Sequence, residues 1–147
     1  MKNSIFAKLF VVASLLLVVT ACNKYEEGSK FTILTAKSRM VNDWTISKIS
    51  YTINSTTTET TGNGTLSIAK DGTYKESTSV QVPFLGLVTT TTEGTWTFNG
   101  DKTEVTFTDS NGNSNTSTII KLKNKELSLS STEETTGTVT RVDYTAN

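Results

Sequence analysis

The sequence predicts an all-β fold: an eight-stranded antiparallel up-and-down barrel with one short N-terminal helix. Three observations carry this. From Asp43 onward, apolar residues alternate with Thr, Ser and charged residues in short runs, the period of a strand with one buried face. The runs are punctuated by turn chemistry at Lys70-Asp71-Gly72, Asn99-Gly100-Asp101, Asn111-Gly112-Asn113 and Lys123-Asn124-Lys125. Thr and Ser are abundant, and Leu is scarce beyond the first 20 residues. A flat sheet of this composition would expose two edges and an uncovered apolar face. Closing the sheet removes both problems, and eight strands enclose either side chains or one small ligand.

The chain has 147 residues, no His, one Cys and a formal charge of zero. A disulfide within the chain is therefore impossible, and a His- or Cys-based metal site is close to excluded. No metal site and no cofactor is expected. Without Lys2 and Lys8, 12 basic side chains stand against 14 acidic ones, a charge of −2 on the remainder. That balance offers nothing to a nucleic acid.

The N-terminus reads as an export signal. Lys2 and Lys8 form a short basic region, and Leu9 to Val19 is apolar except for Ser14. The apolar run is shorter than the ~20 residues a spanning helix needs and suits the centre of a signal peptide. It ends in Val18-Val19-Thr20-Ala21-Cys22, which resembles the cleavage box of bacterial lipoproteins, with Val19 where Leu is usual. The resemblance implies cleavage before Cys22, a diacylglycerol on its thiol and an acylated amino end, with palmitate a typical chain. Two or more chains anchor firmly, because each buried methylene contributes about 0.8 kcal/mol. The alternative is an ordinary secretory signal that leaves Cys22 a free thiol. The division expected is residues 1–21 as lipoprotein signal peptide, 22–30 as lipid-anchored tether and 31–147 as the barrel domain. Glu26 and Glu27 resemble the acidic export signal of Bacteroidetes surface lipoproteins; a merely solvated tether is the other reading.

Phe31 to Val41 is the one plausible helix, with Thr32 as its cap, placed over one end of the sheet. The first strand carries Trp44 and Ile46, then slips phase to Ile49, Tyr51 and Ile53, which predicts a bulge near Ser47 and Lys48. Asn54 to Asn63 reads as a polar connection. Strands follow at Leu66–Ile68, Tyr74–Val82, Val88–Phe98, Thr103–Thr108, Thr116–Leu122, Glu126–Ser130 and Thr138–Tyr144. The hairpin around Asn99-Gly100, with Trp96 and Phe98 facing Val105 and Phe107, is the clearest of these signals.

In a meander, alternate connections share an end. The turns after Ile68, Phe98 and Leu122 then gather Trp44, Leu66, Trp96, Phe107, Ile120, Leu122, Leu127 and Tyr144 into an apolar floor. The same faces become hydroxyl-bearing farther along, at Thr78, Thr90, Thr92, Thr116, Thr118, Thr138 and Thr140. The upper half is either a wet cavity or solvated hairpin. Val82-Pro83-Phe84-Leu85-Gly86-Leu87-Val88 is an apolar connection at that end, either a plug over the mouth or an exposed lip. The ligand-binding candidates are Thr78, Thr90, Thr92 and Thr140, with Phe84 and Leu87 on the lip.

Taken together, a Trp near the first strand, Asp71-Gly72-Thr73-Tyr74, Gly94-Thr95-Trp96-Thr97-Phe98 and Lys123-Asn124-Lys125-Glu126-Leu127-Ser128-Leu129 resemble the small lipocalin-like lipoproteins of Bacteroidetes. The resemblance spans Leu34 to Tyr144. It implies a lipocalin-like barrel, an outer-membrane address at the cell surface or the periplasmic face, and ligand binding. The Gly-x-Trp of true lipocalins is replaced by Asn42-Asp43-Trp44.

Catalysis finds little footing, so no catalytic residue is assigned and the chain is not read as an enzyme. Without His, and with Cys22 acylated, no nucleophile stands beside a base. Glu26–Glu27 and Glu133–Glu134 are adjacent pairs that read as solvated tether and bend. Asp109-Ser-Asn111-Gly-Asn113 lacks the later acidic ligand of a calcium loop and reads as a turn. Glu76 shares parity with Tyr74 and Thr78. It either faces inward, where it needs a partner, or is turned out by a bulge. The expected function is a cell-envelope lipoprotein binding a small apolar or amphipathic molecule. The alternative is a surface interaction protein without a cavity that docks another envelope protein through residues 82–88.

Overall fold

Among the described residues nine strands follow a short helix: α1 (Ala36–Met40), β1 (Asn42–Ile53), β2 (Thr56–Thr60), β3 (Gly64–Ile68), β4 (Thr73–Val82), β5 (Gly86–Phe98), β6 (Glu104–Asp109), β7 (Ser114–Leu122), β8 (Glu126–Thr132) and β9 (Val139–Ala146). The computed structural model describes residues 25–27 and 33–146. Cys22, the N-terminal segment read from sequence as an export signal, and the predicted cap Thr32 lie outside the described residues.

All neighbours are antiparallel, in the order β2-β1-β3-β4-β5-β6-β7-β8-β9, and β9 also pairs with β1, which closes the ring. β2 and β3 share one side of β1: β2 pairs with Ile49–Ile53 and β3 with Asn42–Thr45. Together they fill one place, so the barrel has eight positions and β2 is the extra strand. The sequence reading placed a plain connection here. Thr56–Thr60 is exposed throughout, so it carries no alternation to mark a strand. Its hairpin turn places Asn54 and Ser55 at φ 49° and 66°, the left-handed pair a two-residue hairpin loop requires.

The helix is shorter than the sequence suggested, and Thr35 caps it by accepting from the Ser38 amide at 3.1 Å. It covers the floor. Met40 is fully buried, and its carbonyl accepts from the Trp44 indole at 3.0 Å. Trp44, Leu122, Leu127 and Val105 are fully buried beside it, and Leu66, Ile68 and Trp96 complete the floor. Removing such side chains from water contributes about 1.5–3 kcal/mol each. The Trp96 indole donates to the Ala69 carbonyl at 3.0 Å, so the polar tip of the ring is satisfied at the floor turn.

The bulge expected near Ser47 is present: the β1–β9 register shifts between Ile46 and Lys48. A second shift, between Ile119 and Lys121 on β7, was not foreseen. It turns Ile119 and Ser117 inward and moves Ile120 out of the floor, where the sequence reading had put it. Thr116 and Thr118 are consequently exposed on the outer face, and Thr116 hydrogen-bonds to Thr106 across β6 and β7 at 2.8 Å.

Candidate functional site

Above the floor the barrel is open. A cavity of about 410 Å³ lies between β3, β4, β5, β6, β7, β8 and β9. Its lower wall is apolar, from Leu66, Phe107, Leu129 and Val142, and its upper wall is polar, from Thr92, Asn115, Ser117, Ser131 and Thr140. Tyr74, Tyr144 and Glu76 stand between the two. The Tyr74 and Phe107 rings meet edge to face at 4.9 Å. Alternation along each strand produces this layering, because residues two apart share a face and the sequence changes from Leu, Tyr and Trp to Thr and Ser going up.

Glu76 faces inward. It pairs in register with Leu66 on one side and Thr92 on the other. Burial pushes its carboxyl above the usual range, and nothing pulls it back down. Tyr74 and Tyr144 are raised as well, first by burial and then by the nearby charge of Glu76. Asp109 behaves oppositely. One of its carboxylate oxygens accepts from the Asn111 and Asn113 amides at 2.8 and 2.9 Å, the other from the Asn113 side chain at 2.9 Å. These bonds hold its carboxyl below the usual range. The segment is the turn expected, closed by Gly112 at φ 86°.

Of the four candidate threonines, Thr92 and Thr140 line this cavity. Thr78 and Thr90 pair with each other on the same face but above the rim, and Thr90 is exposed. β5 pairs with β6 only from Gly94 to Phe98, and β3 reaches β4 only as far as Thr78. The β4–β5 hairpin therefore projects from the barrel as a two-stranded ribbon with both edges open. At its tip Phe84 and Leu87 are 109 % and 58 % exposed. The plug arrangement is not adopted, since a plug would bury these side chains. The Leu85 amide donates to the Val82 carbonyl at 3.2 Å, which closes a turn with Pro83 second and Phe84 third. Phe84 sits at φ 67°, a left-handed position where glycine or asparagine is the ordinary choice.

Tyr25 and Glu27, which precede the helix, are docked on the barrel. The Glu27 amide donates to the Ile120 carbonyl at 2.8 Å, at the β7 bulge. Its carboxylate accepts from both terminal nitrogens of Arg141, at 2.7 and 2.9 Å, and lies 3.3 Å from Lys121. Arg141 also reaches Asp143 at 3.0 Å, and Ser128 hydrogen-bonds to Asp143 beneath it. Tyr25 is buried, 5.7 Å from the Arg39 guanidinium, which donates to the Leu122 carbonyl at the floor. Sequence reasoning missed Ser117, Asn115 and Ser131 as cavity residues, since the β7 bulge that aims the first two has no local signature. Among the described residues, no three His, Cys, Asp or Glu side chains come together as a metal set. No model of a known protein family matches this chain, and no curated protein matches it.

Proposed function

We propose that this protein is a lipid-anchored, lipocalin-like barrel of the cell envelope that takes up a small apolar or amphipathic molecule. The single observation that carries the reading is the cavity of about 410 Å³ above a packed floor, apolar below and hydroxyl-lined above. Its size lies in the range of about 300–1,000 Å³ usual for small-molecule sites. Acylation of Cys22 and an outer-membrane address rest on the signal segment and the Val18–Cys22 box. Tyr25 lies at the floor end of the barrel, opposite the cavity mouth, which supports a reading in which the mouth faces away from the bilayer. The role is carrier or receptor, not catalyst.

The test is uptake of N-phenyl-1-naphthylamine, a neutral probe that brightens in an apolar site. The purified protein should enhance its fluorescence, and Thr92→Trp and Thr140→Trp, which fill the cavity, should each abolish the enhancement. No enhancement, or enhancement unchanged in both filled variants, overturns the reading. Mass spectrometry of protein extracted from cells tests the anchor, and an unmodified thiol at Cys22 would reject it.

A specific observation also favours docking through residues 82–88: Phe84 is fully exposed at a backbone position that suits glycine. A bulky apolar residue held there costs stability and gains no packing within the chain. In this second reading the open-edged ribbon engages another envelope protein. Crosslinking in cells should capture a partner with the native chain and lose it with Phe84→Ser combined with Leu87→Ser.

A further inference from the structure

The cavity has a sign. Among the described residues no Lys or Arg lines it, whereas Glu76 and Asp109 do. Asp109 is occupied by the turn it closes. Glu76 has no such engagement: burial is the sole influence on its carboxyl, and a neighbouring donor or cation would have drawn it the other way. A half-buried carboxylate without a partner is costly. Around it stand three aromatic rings, Tyr74, Phe107 and Tyr144, with Leu129 and Val142 farther down. Aromatic rings attract cations and hydrocarbon alike.

Resting on the reading of the cavity as a ligand site, we propose that its ligand carries a cationic amine, an alkyl- or arylammonium, which donates to Glu76 beside the Tyr74, Phe107 and Tyr144 rings and extends its hydrocarbon toward Leu129 and Val142. A fatty acid is the wrong ligand for this site. Its carboxylate would meet two acidic side chains and no basic one in a confined space, where like charges repel strongly.

The experiment displaces N-phenyl-1-naphthylamine with three ligands of equal chain length, octylammonium, octanol and octanoate, at neutral pH. Octylammonium should displace the probe at a concentration about tenfold below octanol, the scale of one charge-assisted hydrogen bond in a partly buried site. Octanoate should be weakest. Glu76→Gln keeps the shape and removes the charge, so it should bring octylammonium to the octanol level. Acidification should weaken octylammonium in the native chain and not in Glu76→Gln. Asp109 is already held ionised, and Tyr74 and Tyr144 stay protonated, so Glu76 is the group that titrates. Probe bound but displaced equally by all three, or best by octanoate, overturns the amine and leaves the cavity reading intact. An unchanged octylammonium preference in Glu76→Gln also overturns it. Failure of the probe and of octanol to bind at all overturns both.

Discussion

Glu27 and Arg141 are 114 residues apart in the chain, yet their side chains meet through two parallel hydrogen bonds of 2.7 and 2.9 Å. This fork holds Glu27 against the outer wall of β7 and β9. Arg141, followed by desolvation and Lys121, sets the Glu27 carboxyl, whose net shift is down to about 2 from an ordinary 4.5. A carboxylate depressed on folding contributes stability above its unfolded value, and the contribution fades as pH falls toward the folded value. The Glu27 side chain is 40 % exposed, so solvent screens most of the interaction, and an exposed bidentate pair is worth about 0.5–1 kcal/mol. Glu27→Gln should lower the melting temperature by a few degrees at neutral pH. The gap to the native chain should close between about pH 4.5 and about pH 2. A gap independent of pH would show that the pair contributes nothing.

Glu76 should titrate with the opposite sign. Its folded value is raised by burial, so the folded state holds the proton more tightly than the unfolded chain. Its contribution is therefore intact in acid and is lost as pH rises from the ordinary 4.5 through the raised value. Glu76→Gln should be more stable than the native chain at neutral pH, by more than the about 0.5 kcal/mol scatter of surface changes. The advantage should vanish in acid. Thermal melts of both Gln variants across pH separate the two carboxylates, because both curves leave the native one toward neutral pH, Glu27→Gln below it and Glu76→Gln above it.

Legibility followed the presence of phase markers. The bulge in β1 could be read because Trp44 and Ile46 fix one face before it and Ile49 and Tyr51 fix the same face after it. The bulge in β7 could not. Ile119 and Ile120 are adjacent and equally apolar, and Thr116, Ser117 and Thr118 all carry hydroxyls, so either face is consistent with the sequence. That ambiguity cost the reading Ser117 and Asn115 in the cavity. β2 was invisible because its five residues are exposed and polar on both faces. Docking of Tyr25 and Glu27 depends on Arg39, Arg141 and the β7 bulge, which are distant in sequence and carry no local signal. Closure, by contrast, was legible from strand count and the need to cover one apolar face.

The tip of the β4–β5 ribbon should be energetically idle in the isolated protein. Phe84, Leu85 and Leu87 are exposed, so Phe84→Ser with Leu87→Ser should change stability by less than about 0.5 kcal/mol. Phe84→Gly should go further and stabilise the turn, because glycine adopts φ 67° without strain. Both variants should retain full probe uptake, since neither residue lines the cavity. Loss of uptake would place the ribbon over the mouth in solution. Urea midpoints and probe titrations on the same samples check both halves.

Gly94 and Gly100 invert what hairpin chemistry suggests. Asn99-Gly100 carries the familiar turn signature, yet the left-handed residue of that loop is Lys102, at φ 56°. Asn99 instead organises the loop by accepting from the Thr103 and Glu104 amides at 2.9 and 3.1 Å. A Cβ at Gly100 would meet nothing within 4 Å, so Gly100→Ala should be neutral or stabilise by about 0.4–1 kcal/mol through the unfolded chain. Gly94, inside β5 and opposite Asp109, is the demanding position. A Cβ there would lie 1.9 Å from the Thr108 carbonyl oxygen and 2.9 Å from the Asp109 Cα. Both are backbone atoms, so no rotamer change relieves the clash, and β5 and β6 must separate. Gly94→Ala should therefore exceed the about 1–3 kcal/mol of ordinary overpacking. It should also loosen the wall between Thr92 and Phe107, which line the cavity. Chemical denaturation of the two alanine variants decides it: a Gly94→Ala midpoint equal to that of Gly100→Ala would show that the strands do not approach this closely.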